Sequence, residues 1–134
     1  MRYLSTRGGC APLSFTQAVL TGLAPDGGLL VPERFPDVAD RLDAWRTLSY
    51  VELTQRIFRL YADGADGADG ADDIPGDDLD AIVADAFAAF DHPDIAPLVD
   101  LGEIRILELF HGPTLSFKDI ALQILGRLFE TILG

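Results

Sequence analysis

The sequence predicts an incomplete α/β fold. A mostly helical N-terminal subdomain with short strands covers residues 1–97, and residues 98–134 supply the first β and α elements of a larger α/β domain. Apolar residues recur at helical spacing in several separate segments, most clearly at Leu79, Ile82, Val83, Ala86, Phe87 and Phe90. A run rich in branched residues, Glu103 to Phe110, leads through a Gly-Pro loop into a long helix with a broad apolar face. A strand followed by a helix is half of a βαβ unit, and the strand that would use this helix as its crossover does not follow. The sequence therefore reads as the N-terminal part of a longer chain.

Tyr3 to Thr6 form a short β-like piece that Arg7-Gly8-Gly9 interrupts. Ser14 and Gln17 have the spacing of a capping box, and Phe15, Ala18 and Val19 form a stripe that Gly22 ends, so a short helix is expected over 15–21. Asp26-Gly27-Gly28 signals a turn, Leu29 to Val31 a brief strand, and Pro32 its end. Helical patches follow near Val38 to Arg46 and, from a second capping box at Ser49 and Glu52, on to about Tyr61. Residues 62–73, ADGADGADGADD, hold no side chain that can pack and are expected to be a solvated, flexible loop. Their aspartates recur every third residue and no glutamate closes the run, so neither an EF-hand loop nor a calcium-binding nonapeptide repeat fits. Past Pro75, Asp77 or Asp78 is placed to cap the next helix, and Asp91-His92-Pro93 to end it. The loop His111 to Leu115 then enters the last helix, for which Ser116 and Asp119 form an N-terminal signature ahead of Ile120, Ile124, Leu125, Leu128 and Ile132.

Composition narrows the function classes. Ten basic against 22 acidic side chains give a net charge of −12, which repels phosphate backbones and anionic lipid and argues against a nucleic-acid or membrane-surface role. No stretch has the length of a signal peptide or a membrane span, so a cytoplasmic protein is expected. Cys10 is the only cysteine, which excludes an internal disulfide, and with no neighbouring histidine it reads as a spare thiol; no metal site is expected.

One residue type is conspicuous. Lys118 is the single lysine among nine arginines, and it falls at the start of the last helix, where a cation opposes the macrodipole. A solvated surface lysine would be placed better at the other end. A primary amine can condense with an aldehyde where a guanidinium cannot, which makes Lys118 a candidate for covalent catalysis.

Residues 108–119, ELFHGPTLSFKD, resemble the segment of threonine synthases that carries the pyridoxal-phosphate lysine. Two other blocks are similar to the same family in the same order: YLSTRG at 3–8, with Ser14-Phe15 and GLAPDGGLLVP at 22–32, and HPDIAPL at 92–98. The resemblance implies the start of a fold type II pyridoxal-phosphate domain after residue 97, with Lys118 as both the catalytic and the cofactor-binding residue. It implies pyridoxal 5'-phosphate as cofactor and O-phospho-L-homoserine as small-molecule substrate, converted with water into L-threonine and phosphate. It also implies that the remainder of the chain completes the fold, and that residues 1–134 alone do not turn over substrate. Phe117 is expected beside the cofactor region and Asp119 in the first turn; His111 is expected as a satisfied loop histidine and Arg7 as an ion-pair partner or a phosphate contact. A related phospholyase that uses the same lysine remains open, as does a non-catalytic acidic interaction domain.

Overall fold

A computed structural model of the protein describes residues 1–62 and 74–134. The expected ADG loop therefore lies, apart from Ala62, outside the described residues. The element order is β1 (Tyr3–Ser5), α1 (Phe15–Thr21), β2 (Leu30–Pro32), a 3-10 turn (Ala39–Arg41), α2 (Leu42–Trp45), α3 (Tyr50–Ala62), α4 (Gly76–Phe87), β3 (Leu98–Asp100), β4 (Arg105–Leu107) and α5 (Asp119–Leu133).

The first 32 residues are organised by a carboxylate. β1 pairs antiparallel with β2, Tyr3 opposite Pro32 and Ser5 opposite Leu30. Between them, the two Asp26 oxygens lie 2.7 and 2.8 Å from Ser5 Oγ and accept from the backbone N–H groups of Gly9 at 2.7 Å and Gly28 at 2.9 Å. The hydrogen bond from Ser5, then that from Gly28, holds this carboxyl below its ordinary pKa. A side chain at Gly28 would run into Ser5 Oγ and the Arg7 backbone, which is why glycine occupies the turn. α1 begins as its sequence requires: Gln17 N–H donates to Ser14 Oγ at 3.2 Å, and Ser14 N–H donates to the Gln17 side chain at 2.9 Å.

α4 forms the centre of the core. Its Leu79 and Val83 are fully buried, with Ile82, Ala86 and Phe87 close behind, and it packs between α3 and α5. Phe15 of α1 and Ile124 and Leu128 of α5 belong to the same apolar cluster. Phe87 meets Tyr50 and Phe90 edge to face, with ring centroids 5.4 Å apart in both pairs. A fork of two bonds, Arg59 Nε to Asp80 Oδ1 at 2.9 Å and Nη2 to Oδ2 at 2.7 Å, fastens α3 to α4 beside this core.

Several local expectations need correction. The patch at 38–46 divides into the 3-10 turn and the single turn of α2, since neither has the length or the buried face to hold a longer helix. α4 has Pro75 at its N-cap with no side-chain cap; Asp77 and Asp78 fall in the first turn instead, where acids suit the macrodipole. Residues 103–110 do not form one strand: only Arg105–Leu107 pairs, and its partner is Leu98–Asp100 in an antiparallel hairpin. Gly102, at φ 91°, makes the reversal possible, and Asp100 Oδ1 accepts from its N–H at 2.8 Å. α5 begins at Asp119, so Lys118 stands at the N-cap position and not inside the first turn.

The hairpin is apolar on the outside. Leu98, Leu101, Ile104 and Leu107 are each more than half exposed, and a two-stranded ribbon is marginal alone in water. No helix among the described residues is long and apolar enough to cross a membrane.

Candidate functional site

The loop between β4 and α5, residues 108–118, carries the candidate lysine and is fastened at two points. The first is Asp119. Its carboxylate does not close a cap on Ser116 alone; it reaches back over the loop and accepts from Thr114 N–H with one oxygen and Thr114 Oγ1–H with the other, each at 2.8 Å. Asp119 is 2 % exposed, and burial pushes its carboxyl upward, but the two bonds from Thr114, with further ones from the Ser116 backbone and Gln123, outweigh this and hold it below its ordinary value. Gly112 packs against it so closely that a Cβ there would lie 2.6 Å from Asp119 Oδ2. The residue that follows Lys118 thus fixes the loop that precedes it.

The second point is His111. Its Nδ1 lies 3.0 Å from Asp91 Oδ1, and its Nε2 lies 2.8 Å from Glu108 Oε2. Carboxylates only accept, so both bonds are made at once only by the doubly protonated ring. The bond to Glu108 raises the His111 pKa, burial opposes this, and Asp91 adds to the rise. The ring is 15 % exposed, tilted against Phe110 at 4.7 Å and His92 at 4.8 Å between centroids. Asp91 N–H also donates to the His111 carbonyl at 3.0 Å, so this joint ties the exit of α4 to the exit of the hairpin.

Between these points the backbone is strained. Leu115 has φ 59°, and its N–H donates to the Gly112 carbonyl at 3.0 Å. A bulky side chain in the left-handed region costs about 1–2 kcal/mol and persists because its surroundings impose it. Ile95, also at φ 59° and 4 % exposed, is a second such residue, below the Asp91–His92 turn. Ser116 Oγ accepts from Lys118 N–H at 3.3 Å, a local turn bond in place of a helix cap.

Lys118 itself is exposed, and no described hydrogen bond or ion pair holds its ammonium. Leu115 and Phe117 flank it at 69 % and 64 % exposure, an apolar rim with no described ring partner. An amine that nothing in the described residues engages, on a loop fixed from both sides, is available for chemistry with a bound group. Among the described residues, no set of three His, Cys, Asp or Glu side chains could hold a metal ion.

The other sequence candidates are placed elsewhere or in other roles. Arg7 makes no ion pair among the described residues: its Nη1 donates to the Asp26 carbonyl at 3.1 Å and braces the first turn. His92 Nδ1 accepts from Asp94 N–H at 3.1 Å, as a turn residue does. Cys10 is a free, half-buried thiol. Sequence reading missed Thr114, Asp91 and Glu108 as loop fasteners. Glu108 and His111 are three apart, a spacing that brings side chains together in a helix but predicts nothing in a loop.

Comparisons with known proteins bear on the whole chain. The family model described as "Threonine synthase N terminus" matches residues 2–87. The threonine synthase of Schizosaccharomyces pombe is 43% identical over 133 residues, covering 98% of this chain and 24% of that protein. That of Pseudomonas aeruginosa is 44% identical over 136 residues, covering 100% and 27%. The crystal structure of a PLP-bound threonine synthase from Brucella melitensis superposes with a TM-score of 0.85 at 40% identity, over 99% of this chain and 27% of that one. The chain spans about a quarter of the length of these relatives.

Proposed function

The chain belongs to the threonine synthase family, whose N-terminal region it matches, and from that premise we propose that it forms the lysine-bearing part of a threonine synthase. The whole protein would convert O-phospho-L-homoserine and water into L-threonine and phosphate, using pyridoxal 5'-phosphate. The observation that carries this reading is the chain's only lysine, exposed and without a described partner, at the end of a loop fixed by Asp119 and His111. Lys118 is the residue that would hold the cofactor, which when bound supplies an electron sink for charge developing beside the substrate's amino group.

Lys118 then acts as a base and acid: its amine holds and moves the proton at the substrate's α carbon and at its β carbon. Proton transfer of this kind depends on placement. Thr114, locked to Asp119, fixes the backbone four residues before the amine, and His111 anchors the loop at its other end. Phe117 and Leu115 supply exposed apolar surface in the same loop as the amine. No glycine-rich cradle for a cofactor phosphate follows Lys118 within the described residues, and we assign that cradle to the remainder of the chain.

The exposed apolar hairpin supports the same assignment. Leu98, Leu101, Ile104 and Leu107 would pack against further strands of a larger sheet, in keeping with the proposed opening of that domain after residue 97. α5 nevertheless shares its core with α4 and α1, so the proposed division is one of chain topology and not of separate cores. The test is turnover by the full-length protein. With O-phospho-L-homoserine, threonine and inorganic phosphate should appear in equal amounts, and Lys118→Ala should abolish both while leaving the unfolding midpoint in place. Formation of a different amino-acid product, or full turnover by the variant, would overturn the assignment.

A further inference from the structure

A concave surface lies away from Lys118, with a volume of about 820 Å³ and no lining residue from α5 or the loop before it. Ligand sites are typically about 300–1,000 Å³. Its lining includes Arg34, Arg41, Arg56 and Arg59, four of the nine arginines, together with Trp45, the only tryptophan. No described Asp or Glu side chain lines it, although acids outnumber bases 22 to 10 in the sequence.

The arginines differ in how they are engaged. Arg59 is held by Asp80 and, at 3.4 Å, by Asp77. Arg56 is attracted by Glu52 and Asp80 without a described hydrogen bond to either. The side chains of Arg34 and Arg41 make no described hydrogen bond or ion pair. Asp80 and Asp77 offset the charge of Arg59 and Glu52 that of Arg56, but no described carboxylate bonds the guanidinium groups of Arg34 and Arg41, which repel each other in the lining of the same concavity. A multivalent anion would relieve the repulsion. Guanidinium forks match phosphate oxygens two at a time, and the Trp45 indole offers a face on which a guanidinium or the ligand's own planar part can lie.

We propose that the groove between the segment at Arg34, α2 and α3 binds a small molecule bearing phosphoryl groups, at a site separate from Lys118. Arg34 and Arg41 supply guanidinium forks without a described partner, and Arg56 adds a third positive charge from α3. Arg59, also in the lining, is already clamped to α4 by Asp80.

The test uses the full-length protein labelled with 5-fluorotryptophan and titrated with inorganic pyrophosphate, against sodium chloride at matched ionic strength. The Trp45 resonance, assigned by its loss in Trp45→Phe, should move saturably with pyrophosphate and not with chloride. Replacing both of these forks, Arg34→Gln with Arg41→Gln, should weaken the response by about tenfold or more, since two charge-assisted contacts are removed. Arg46→Gln, at an exposed pair with Asp43 outside the groove, should leave it unchanged. Turnover of O-phospho-L-homoserine should survive in the double variant, which separates this site from the lysine site. A silent Trp45, an equal response to chloride, or an undiminished response in the double variant would overturn the proposal.

Discussion

Placing a methyl group at Gly112 tests how the lysine loop is held. The added Cβ would lie 2.6 Å from Asp119 Oδ2 and against Asp119 Cβ, whereas ordinary contact begins near 3.4 Å. The Oδ2 contact alone requires about 0.8 Å of movement between loop and helix start, and the nearer Asp119 Cβ requires more. Asp119 cannot swing aside as a long side chain would, because both its oxygens are bound to Thr114 and its Cβ is fixed at the first residue of α5. The displacement is therefore passed to the backbone on either side of Lys118. Overpacking of this kind costs about 1–3 kcal/mol of stability. A misplacement approaching 1 Å at a catalytic group costs on the order of 100-fold in rate. In full-length Gly112→Ala, urea unfolding should show the stability loss, and kcat should fall by about 10- to 100-fold while borohydride still fixes cofactor to the protein. Wild-type kcat together with a wild-type unfolding midpoint would refute the clasp as the feature that positions the amine.

His111 gives a dependence on pH. Its raised pKa means that the joint with Asp91 and Glu108 adds stability below the unfolded value of about 6.5 and loses it as pH climbs through the higher folded value. Urea midpoints measured from about pH 6 to about pH 9 should fall with rising pH, and His111→Gln should flatten that fall; parallel slopes in the two proteins would count against the joint. In the core, Phe87→Ala removes a 3 % exposed ring and its edge-to-face contacts with Tyr50 and Phe90, and should cost about 3–5 kcal/mol in denaturant unfolding, with Phe87→Leu costing visibly less. A loss under about 1 kcal/mol for the alanine variant would mean that α4 is not the centre of the core.

Helices were legible wherever an apolar stripe met a local start signal. α1 and α3 begin at the capping boxes of Ser14 and Ser49, and the stripe of α4 is the buried face of the core, because those signals act within one or two turns of chain. Pairing was not legible. The partner of Arg105–Leu107 lies in Leu98–Asp100, just after Pro97, in three residues with no alternation of their own, and the turn depends on Gly102 and an Asp100 side chain that composition does not single out. The start of α5 was misplaced for a related reason. Ser116 and Asp119 have cap spacing, but Asp119 is recruited by Thr114 across a strained turn at Leu115, a contact that needs the folded loop before it exists. Lys118 stood out through its uniqueness and its sequence neighbours. The joint at His111 joins residues 20 apart through Asp91 and could not be read from either segment alone.

The most direct measurement is chemical. Full-length protein reconstituted with pyridoxal phosphate is reduced with borohydride, digested, and the phosphopyridoxyl adduct located by mass spectrometry. The adduct should sit on Lys118, in the peptide that contains Phe117 and Asp119, and Lys118→Ala should carry none. An adduct on a lysine beyond residue 134, or a colourless protein that still makes threonine at full rate, would contradict the assignment of Lys118.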